Sequence, residues 1–178
     1  MSKTLLRLTA LLCLFASITL HAQNSTCQTC INSISTLDSS SYTLNAGDTL
    51  CITPEGTFTG SITLNGGVLC NSGSFVPDTL VFQQGKIINN GSVNLNTGLQ
   101  LGANCTIENT AEAAFNISGF LSVNHPSSGF TNDGSLNVVD NVLASGGSII
   151  NNGVINCTHA ASNANITGTG TINETSPN

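Results

Sequence analysis

Carboxyl groups are the first candidates for chemistry in this chain. Glycoside hydrolysis needs two of them held a few ångströms apart. Glu108 and Glu112 are the closest acidic pair in the sequence, and Asp133 lies one repeat further on, where acids of adjacent coils could approach. We interpret them as exposed, solubilising charges, and they form the one enzymatic hypothesis that the sequence supports.

The histidines after position 22 have no evident catalytic partners in the sequence. His125 precedes Pro126 in a long segment between repeats, and His159 lies in the last such segment. Neither belongs to a recognisable serine or cysteine nucleophile motif, and the sequence has no phosphate-binding glycine loop with its lysine. We predict no catalytic residue, no cofactor and no metal site.

Six cysteines follow position 22: Cys27, Cys30, Cys51, Cys70, Cys105 and Cys157. An even number in an exported chain favours disulfides, although the pairing is open. The Cys27-x-x-Cys30 spacing also fits redox or zinc chemistry, but the sequence lacks the βαβ context and the second ligand pair that these need. We expect a disulfide staple that links Cys27 or Cys30 to Cys51 or Cys70 and protects the open edge of the first coil.

The first 22 residues are typical of a secretory signal peptide. Lys3 and Arg7 precede an apolar stretch at residues 11–20, and Ala22 is a small residue at the expected cleavage point. The apolar stretch is too short for a transmembrane helix. We therefore predict a protein that is secreted or held at the cell surface, with no membrane-spanning segment in the mature chain.

Charge excludes several classes of partner. After the signal peptide, Lys86 is the one basic residue against nine acids, so the mature net charge is −8. Binding to nucleic acids needs lysines and arginines that neutralise phosphates, and anionic lipids need a similar basic patch. We expect neither partner.

A repeated motif organises the rest of the chain. Residues 85–94 read Gly-Lys-Ile-Ile-Asn-Asn-Gly-Ser-Val-Asn, and residues 147–156 read Gly-Ser-Ile-Ile-Asn-Asn-Gly-Val-Ile-Asn. Aligning on the second glycine gives anchor positions 17 to 23 residues apart. The anchors are Gly56, Gly73, Gly91, Ala111, Gly134, Gly153 and Gly170. We expect each anchor glycine to adopt a positive φ at a corner, and Ala111 to mark a coil that turns differently.

Apolar residues keep fixed distances from the anchors. One stands four residues before each anchor and another two residues after it, including Ile52, Phe58, Ile87, Ala113 and Ile149. Further pairs alternate with polar residues in mid-repeat: Ile62 and Leu64, Leu80 and Phe82, Leu99 and Leu101, Leu121 and Val123, Val142 and Leu143. This period of two is typical of half-buried strands.

Asparagine precedes five consecutive anchors by two residues. These positions are Asn71, Asn89, Asn109, Asn132 and Asn151, with Pro54 and Gly168 in the outer repeats. Stacked strands permit a ladder of hydrogen-bonded amides, and asparagine also supplies local turn chemistry. The sequence leaves both interpretations open, and both place asparagine at a corner.

Short strands that recur about every 19 residues predict an all-β, single-stranded parallel β-helix, or β-solenoid, of about seven coils. A β-sandwich is the alternative, but it does not require a motif that recurs in register. The predicted organisation is a signal peptide (1–22), an N-terminal cap or linker (23–41), a β-helix domain (42–173) and a polar tail (174–178).

The segment Tyr-Thr-Leu-Asn-Ala-Gly-Asp-Thr-Leu-Cys-Ile at 42–52, together with the Asn-Asn-Gly coils, resembles the secreted parallel β-helix (pectin-lyase-like) repeat proteins of bacterial surface and adhesin type. The resemblance covers residues 42–173. It implies an exported β-helix and raises polysaccharide lyases and hydrolases as relatives. Such lyases use an arginine or lysine base and acidic calcium sites, and here Lys86 is the one basic residue left.

The sequence therefore predicts a non-enzymatic module for adhesion or for extracellular matrix and surface assembly. A surface glycan or a neighbouring β-helix protein is the expected partner, because a rod displays side chains in rows whose weak contacts add. The row expected to face outward contains Thr57, Ser74, Ser92, Ser135 and Thr171.

Three alternatives remain. Coils stacking end to end would make a filament subunit. Thr57, Thr59 and the Thr-Gly-Thr-Gly-Thr run at 167–171 suggest an ice-binding face. A polysaccharide-binding or polysaccharide-degrading protein is the third.

Overall fold

The computed structural model describes Cys27, residues 30–161 and residues 165–176. The predicted signal peptide lies outside the described residues, as do part of the predicted cap and the last two residues of the tail. The regular elements of the described residues are all β-strands. Within those residues, no helix has the length and apolar character needed to cross a membrane.

Twenty-one strands follow one another along the chain. They are β1 (Asn32–Ile34), β2 (Leu37–Asp38), β3 (Ser41–Asn45), β4 (Thr49–Ile52), β5 (Thr57–Phe58), β6 (Ser61–Asn71), β7 (Ser74–Phe75), β8 (Thr79–Asn89), β9 (Ser92–Leu95), β10 (Leu99–Leu101), β11 (Cys105–Asn109), β12 (Ala114–Ile117), β13 (Leu121–Val123), β14 (Gly129–Asn132), β15 (Ser135–Val138), β16 (Asn141–Leu143), β17 (Ser148–Asn151), β18 (Val154–Cys157), β19 (His159–Ala160), β20 (Ile166–Thr167) and β21 (Thr171–Glu174).

These strands form three parallel sheets that wrap around one core. The first sheet runs β1-β4-β6-β8-β11-β14-β17-β20, with β3 also paired to β6. The second runs β2-β5-β7-β9-β12-β15-β18-β21, and the third runs β10-β13-β16-β19. The predicted all-β parallel solenoid, with about seven turns of about 19 residues, is confirmed.

Equivalent apolar residues stack inside the solenoid. Ile87, Ile107 and Ile149 lie in one inward row of the first sheet, each nearly or fully excluded from solvent. In the second sheet, the rings of Phe58 and Phe75 stack with centroids 5.6 Å apart. Each coil alone exposes this apolar face, so burial by the neighbouring coils is what stabilises it.

Five asparagines form a buried ladder at an inner corner: Asn71, Asn89, Asn109, Asn132 and Asn151. Each of the first four donates from Nδ2 to the Oδ1 of the next at 2.8 Å. Asn89 shows the remaining bonds. Its Nδ2 also donates to the main-chain oxygen of Ala114 at 3.0 Å, and its Oδ1 accepts the N–H of Gly91 at 3.2 Å. The same side chains therefore make both the ladder and the local turn.

The anchor glycines do not have the predicted positive φ. That conformation occurs instead at Gly47, Gly66, Gly85 and Gly168. The anchors are needed for close approach between coils: a Cβ on Gly91 would overlap the main-chain oxygen of Gly73, and one on Gly153 would overlap that of Gly134.

The coil that contains Ala111 is wider than its neighbours. Ala114 pairs with Ser92, so four residues separate it from Asn109, whereas two separate Ser92 from Asn89. Phe115 occupies the inward position predicted for Ala113, and Glu112 absorbs the extra length with a φ of 68°. The assignment of Ala111 as an anchor was therefore wrong.

Two further positions differ from the sequence alignment. Ile52 pairs with Asn71, so an isoleucine rather than Pro54 occupies the ladder position of its coil. In the coil of β16, Ala144 is buried where Leu143 was expected, because Leu143 pairs with the outward Ser122.

Two disulfides hold the N-terminal segment against the outside of the first sheet. Cys27 bonds to Cys70 and Cys30 to Cys51, and Cys51 and Cys70 are partners on adjacent strands. Cys51 and Cys70 form a buried cluster with Ile88 that is separate from the main core. The staple therefore lies on a face of the solenoid and not over the open edge of the first coil, where β1 and β2 already pair with β4 and β5.

The inner ladder predicts a large stability effect for a single amide. Replacing Asn109 with alanine leaves an Nδ2 hydrogen of Asn89 and the Oδ1 of Asn132 without their ladder partner. Each of these two unsatisfied buried groups costs about 1–3 kcal/mol, so the free energy of unfolding in urea should fall by about 2–6 kcal/mol.

Asn65→Ala is the matched control, because Asn65 donates to Asn45 in a bond between exposed amides at 3.1 Å. It should lower the free energy of unfolding by less than about 1 kcal/mol. Equal losses in the two variants would contradict the structural role of the buried ladder.

Candidate functional site

The outward face of the second sheet displays two rows of small polar side chains. Strand residues alternate between core and solvent, so the residues on either side of each buried position point outward. The first row is Thr57, Ser74, Ser92, Ala114, Ser135, Val154 and Thr171. The structure thus places the five predicted Ser and Thr residues in one outward row, interrupted by Ala114 and Val154.

The second outward row is a ladder of asparagines: Asn94, Asn116, Asn137, Asn156 and Asn173. Each of the last four donates from Nδ2 to the Oδ1 of the preceding asparagine at 2.7 to 2.8 Å. An amide group has two N–H donors and two acceptor lone pairs. The ladder uses one of each at Asn116, Asn137 and Asn156, which leaves one donor and one acceptor per side chain for a ligand.

Our sequence interpretation did not single out this outer ladder. Its signal was present, since Val-Asn, Leu-Asn and Ile-Asn end the repeated segments at Asn94, Asn137 and Asn156. The inner ladder stood out because its asparagines keep a fixed distance from the anchors. The outer row loses that spacing at Asn116, in the widened coil.

A groove follows the outer ladder across three coils. Its volume is about 430 Å³. Its lining includes the amides of Asn116, Asn137 and Asn156 and a row made of Ser118, Val139 and Thr158. Val139 is 64% exposed, so the groove presents amides and hydroxyls beside an apolar surface. This combination can hydrogen-bond a hydroxylated ligand and contact its C–H groups at the same time.

The three acids of the enzymatic hypothesis have different surroundings. Glu108 points outward from β11 and forms an ion pair with Lys86 at 2.6 Å. Asp133 accepts a hydrogen bond from Asn152 at 2.8 Å, and Glu112 is exposed in the corner of the widened coil. Among the described residues, no group of three or more His, Cys, Asp or Glu side chains could hold a metal ion.

The histidines lie in loops or at strand ends. His125 Nδ1 is 2.9 Å from Ser127 Oγ within an exposed turn. His159 Nδ1 is 3.4 Å from a carboxylate oxygen of Glu174. Neither histidine is among the residues that line the groove.

The run at 167–171 does not form one flat threonine row. Thr167 belongs to β20 in the first sheet, and Thr171 belongs to β21 in the second. The run therefore turns a corner, and the outward row that includes Thr57 is mixed in composition.

Two further cysteines of the described residues, Cys105 and Cys157, are free thiols in the core. Burial raises the pKa of both, and the negative charge of Glu174 adds to the effect at Cys157. A raised pKa disfavours the thiolate that a nucleophile or metal ligand needs. These cysteines pack as small apolar residues.

Thiol titration tests this division of the cysteines. The chain from residue 23 has six cysteines, of which Cys105 and Cys157 are free. With a disulfide-exchange reagent near pH 8, the folded protein should react slowly because both thiols are buried and protonated. Urea without reductant should expose the two free thiols, and reduction in urea should expose all six. Fast reaction of the folded protein would contradict the buried placement.

Comparison of the chain with models of protein families, with curated proteins and with solved structures found no match in any of the three. The resemblance to surface and adhesin-type β-helix proteins therefore rests on the sequence motifs, to which the structure adds the parallel solenoid fold.

Proposed function

We propose that this protein is an exported, non-enzymatic adhesion module that binds neutral polysaccharide along the groove of its second sheet. The observation that carries the proposal is the outer asparagine ladder. Its amides lie in register on successive coils, and those at Asn116, Asn137 and Asn156 line the groove.

A polysaccharide matches this array chemically. Sugar hydroxyls both donate and accept hydrogen bonds, and each groove amide keeps one free donor and one free acceptor. The ladder bond to the neighbouring asparagine fixes the orientation of each amide, so little side-chain freedom is lost on binding. Val139 adds an apolar contact for C–H groups. Individually weak contacts of this kind sum along a rod.

Charge favours a neutral partner. The mature chain has nine acids against Lys86, and a field of one sign repels polymers of the same sign. Anionic polysaccharides are therefore disfavoured. Binding should also change little with ionic strength, because screening acts on charged contacts.

Two features support export. The sequence begins with a segment typical of a signal peptide. The Cys27–Cys70 and Cys30–Cys51 bonds are of the kind that forms and persists in oxidising compartments such as the extracellular space. A disulfide-held solenoid is suited to a surface role because it resists unfolding outside the cell.

The arrangement of the acids supports a binding role over hydrolysis. Glu108 is paired with Lys86, and Asp133 is hydrogen-bonded to Asn152 on the neighbouring coil. A glycosidase needs one carboxyl with a raised pKa beside an ionised one. Neither Glu108 nor Asp133 belongs to the lining of the groove, so neither carboxyl lies where the polysaccharide is proposed to bind.

Pull-down with insoluble polysaccharides tests the proposal. The mature protein should bind one or more neutral polymers, such as cellulose, xylan or starch, and should bind alginate or polygalacturonate poorly. Asn116→Ala combined with Asn137→Ala removes two groove amides and should weaken binding by about tenfold, the equivalent of about 1.4 kcal/mol.

The control variant combines Asn65→Ala with Gln84→Ala. These two amides also form a ladder bond, at 3.2 Å, but they lie outside the groove lining. Binding by the control should stay within about twofold of the parent. Circular dichroism should show the same fold in both variants. Equal binding by both variants, or no neutral polymer bound at all, would refute the proposal.

A further inference from the structure

The solenoid has an interruption on the face that the third sheet occupies. The first part of β8 pairs with β6 through Thr79 to Phe82, and β10 pairs with β13. These two strand segments belong to successive coils, yet no pairing joins them in the part of the chain that the structure describes. A crevice of about 210 Å³ lies between them.

Proline explains why the coils separate there. Pro77 is buried at the corner before β8 and has no N–H to donate to a neighbouring coil. The next N–H, of Asp78, is directed to the preceding coil, where it approaches the main-chain oxygen of Gly60 at 3.0 Å. The segment is therefore held against the preceding coil, and the following coil with Leu95 and Leu99 is left without a strand partner on this side.

The crevice combines an apolar interior with a polar rim. Leu80, Leu95 and Leu99 are its apolar lining, and Leu95 and Leu99 are buried. Exposed side chains surround the opening: Asp78, Thr79, Asn96 and Thr97. A carboxylate, an amide and two hydroxyls around a leucine floor are suited to a small ring that has C–H groups on its faces and hydroxyls on its edge.

The crevice continues the groove along the axis of the rod. Leu95 lines the crevice, and its register partner on the next coil, Ile117, lines the groove. The main-chain oxygen of Leu95 also accepts the N–H of Ser118, another groove residue, at 2.9 Å. The outer ladder begins beside this junction at Asn94. A chain lying in the groove therefore ends at the crevice.

We propose that the crevice binds the terminal, uncharged hexose of a polysaccharide whose following sugars lie in the groove. The class of ligand rests on the proposed glycan binding; the position of the chain end rests on the interruption at Pro77. The volume of about 210 Å³ suits one pyranose ring and is below the range typical of pockets for larger ligands. Asp78 accepts hydrogen bonds from hydroxyls and repels the carboxylate of a uronic acid.

Nuclear magnetic resonance tests the site with defined probes. The ¹⁵N-labelled mature protein is titrated with the methyl glycosides of glucose, galactose and mannose, and with glucuronate and galacturonate. At least one neutral glycoside should shift the amide signals of Thr79, Gly98 and Leu99. The uronates should bind at least about fivefold more weakly because Asp78 repels them. Asp78→Asn should reduce this difference in affinity between the uronates and the neutral glycosides.

Two phenylalanine variants of β8 distinguish binding in the crevice from an effect elsewhere on the strand. Thr79→Phe places a ring in the crevice mouth and should abolish the shifts. Val81→Phe lies two residues further on the same face of β8, outside the crevice lining, and should preserve them.

The outcomes distinguish this inference from the proposed function. Shifts at Gly98 that Thr79→Phe removes and Val81→Phe retains would support the crevice. Polysaccharide pull-down that depends on Asn116 and Asn137, without any shift around Gly98, would refute hexose binding in the crevice. The proposed polysaccharide binding in the groove would still stand. Absence of both neutral polysaccharide binding and glycoside shifts would overturn both.

Discussion

The hydrogen bonding of buried amides is the constraint on which this structure depends. A buried amide without partners is costly, and the inner asparagines find their ladder partners on neighbouring coils. The bond from Asn89 to Asn109, for example, forms only if two residues 20 apart in the sequence lie in register. Apolar rows tolerate a shift in packing more easily than a chain of 2.8 Å bonds does. The ladder therefore fixes the register, and the apolar rows supply most of the stabilising burial.

Asparagine side chains have two different roles in the solenoid, one inside the core and one on the outer surface. Inside, an amide such as that of Asn89 bonds to its neighbours, to a main-chain oxygen and to the N–H of Gly91. Outside, Asn137 bonds to the preceding asparagine and keeps hydrogen-bonding capacity. The difference lies in position alone, since one row points into a corner and the other out of a sheet. An outer row held by its own ladder is oriented before any ligand arrives. Less side-chain entropy is then lost when a ligand binds.

The sequence predicted the positions that recur in every coil, and it missed the positions at which one coil differs from the others. The apolar positions, such as Ile87 and Ile107, were placed correctly because strand stacking copies one spacing from coil to coil. The widened corner before Ala114 was misaligned, because an insertion of two residues leaves no periodic signal. The individual disulfide partners also stayed open, since their choice depends on where Cys27 and Cys30 meet the outside of the first sheet. The crevice could not be foreseen, because Pro77 reads as an ordinary turn residue until the unpaired strands beside it are seen.

Departures from the repeat are also where a solenoid can acquire a specific site. A perfectly regular stack has flat faces and straight grooves, and a ligand on it can slide by one coil with little change in its contacts. A wall that blocks the groove removes this degeneracy. In the proposed site, Pro77 and Asp78 supply this wall: the missing N–H of proline leaves one face unpaired, while the first sheet continues unbroken through β8 and β11. The local loss of strand pairing thus converts a repetitive surface into one with a defined end, at little cost to the rest of the fold, because the neighbouring coils keep their own ladders and cores.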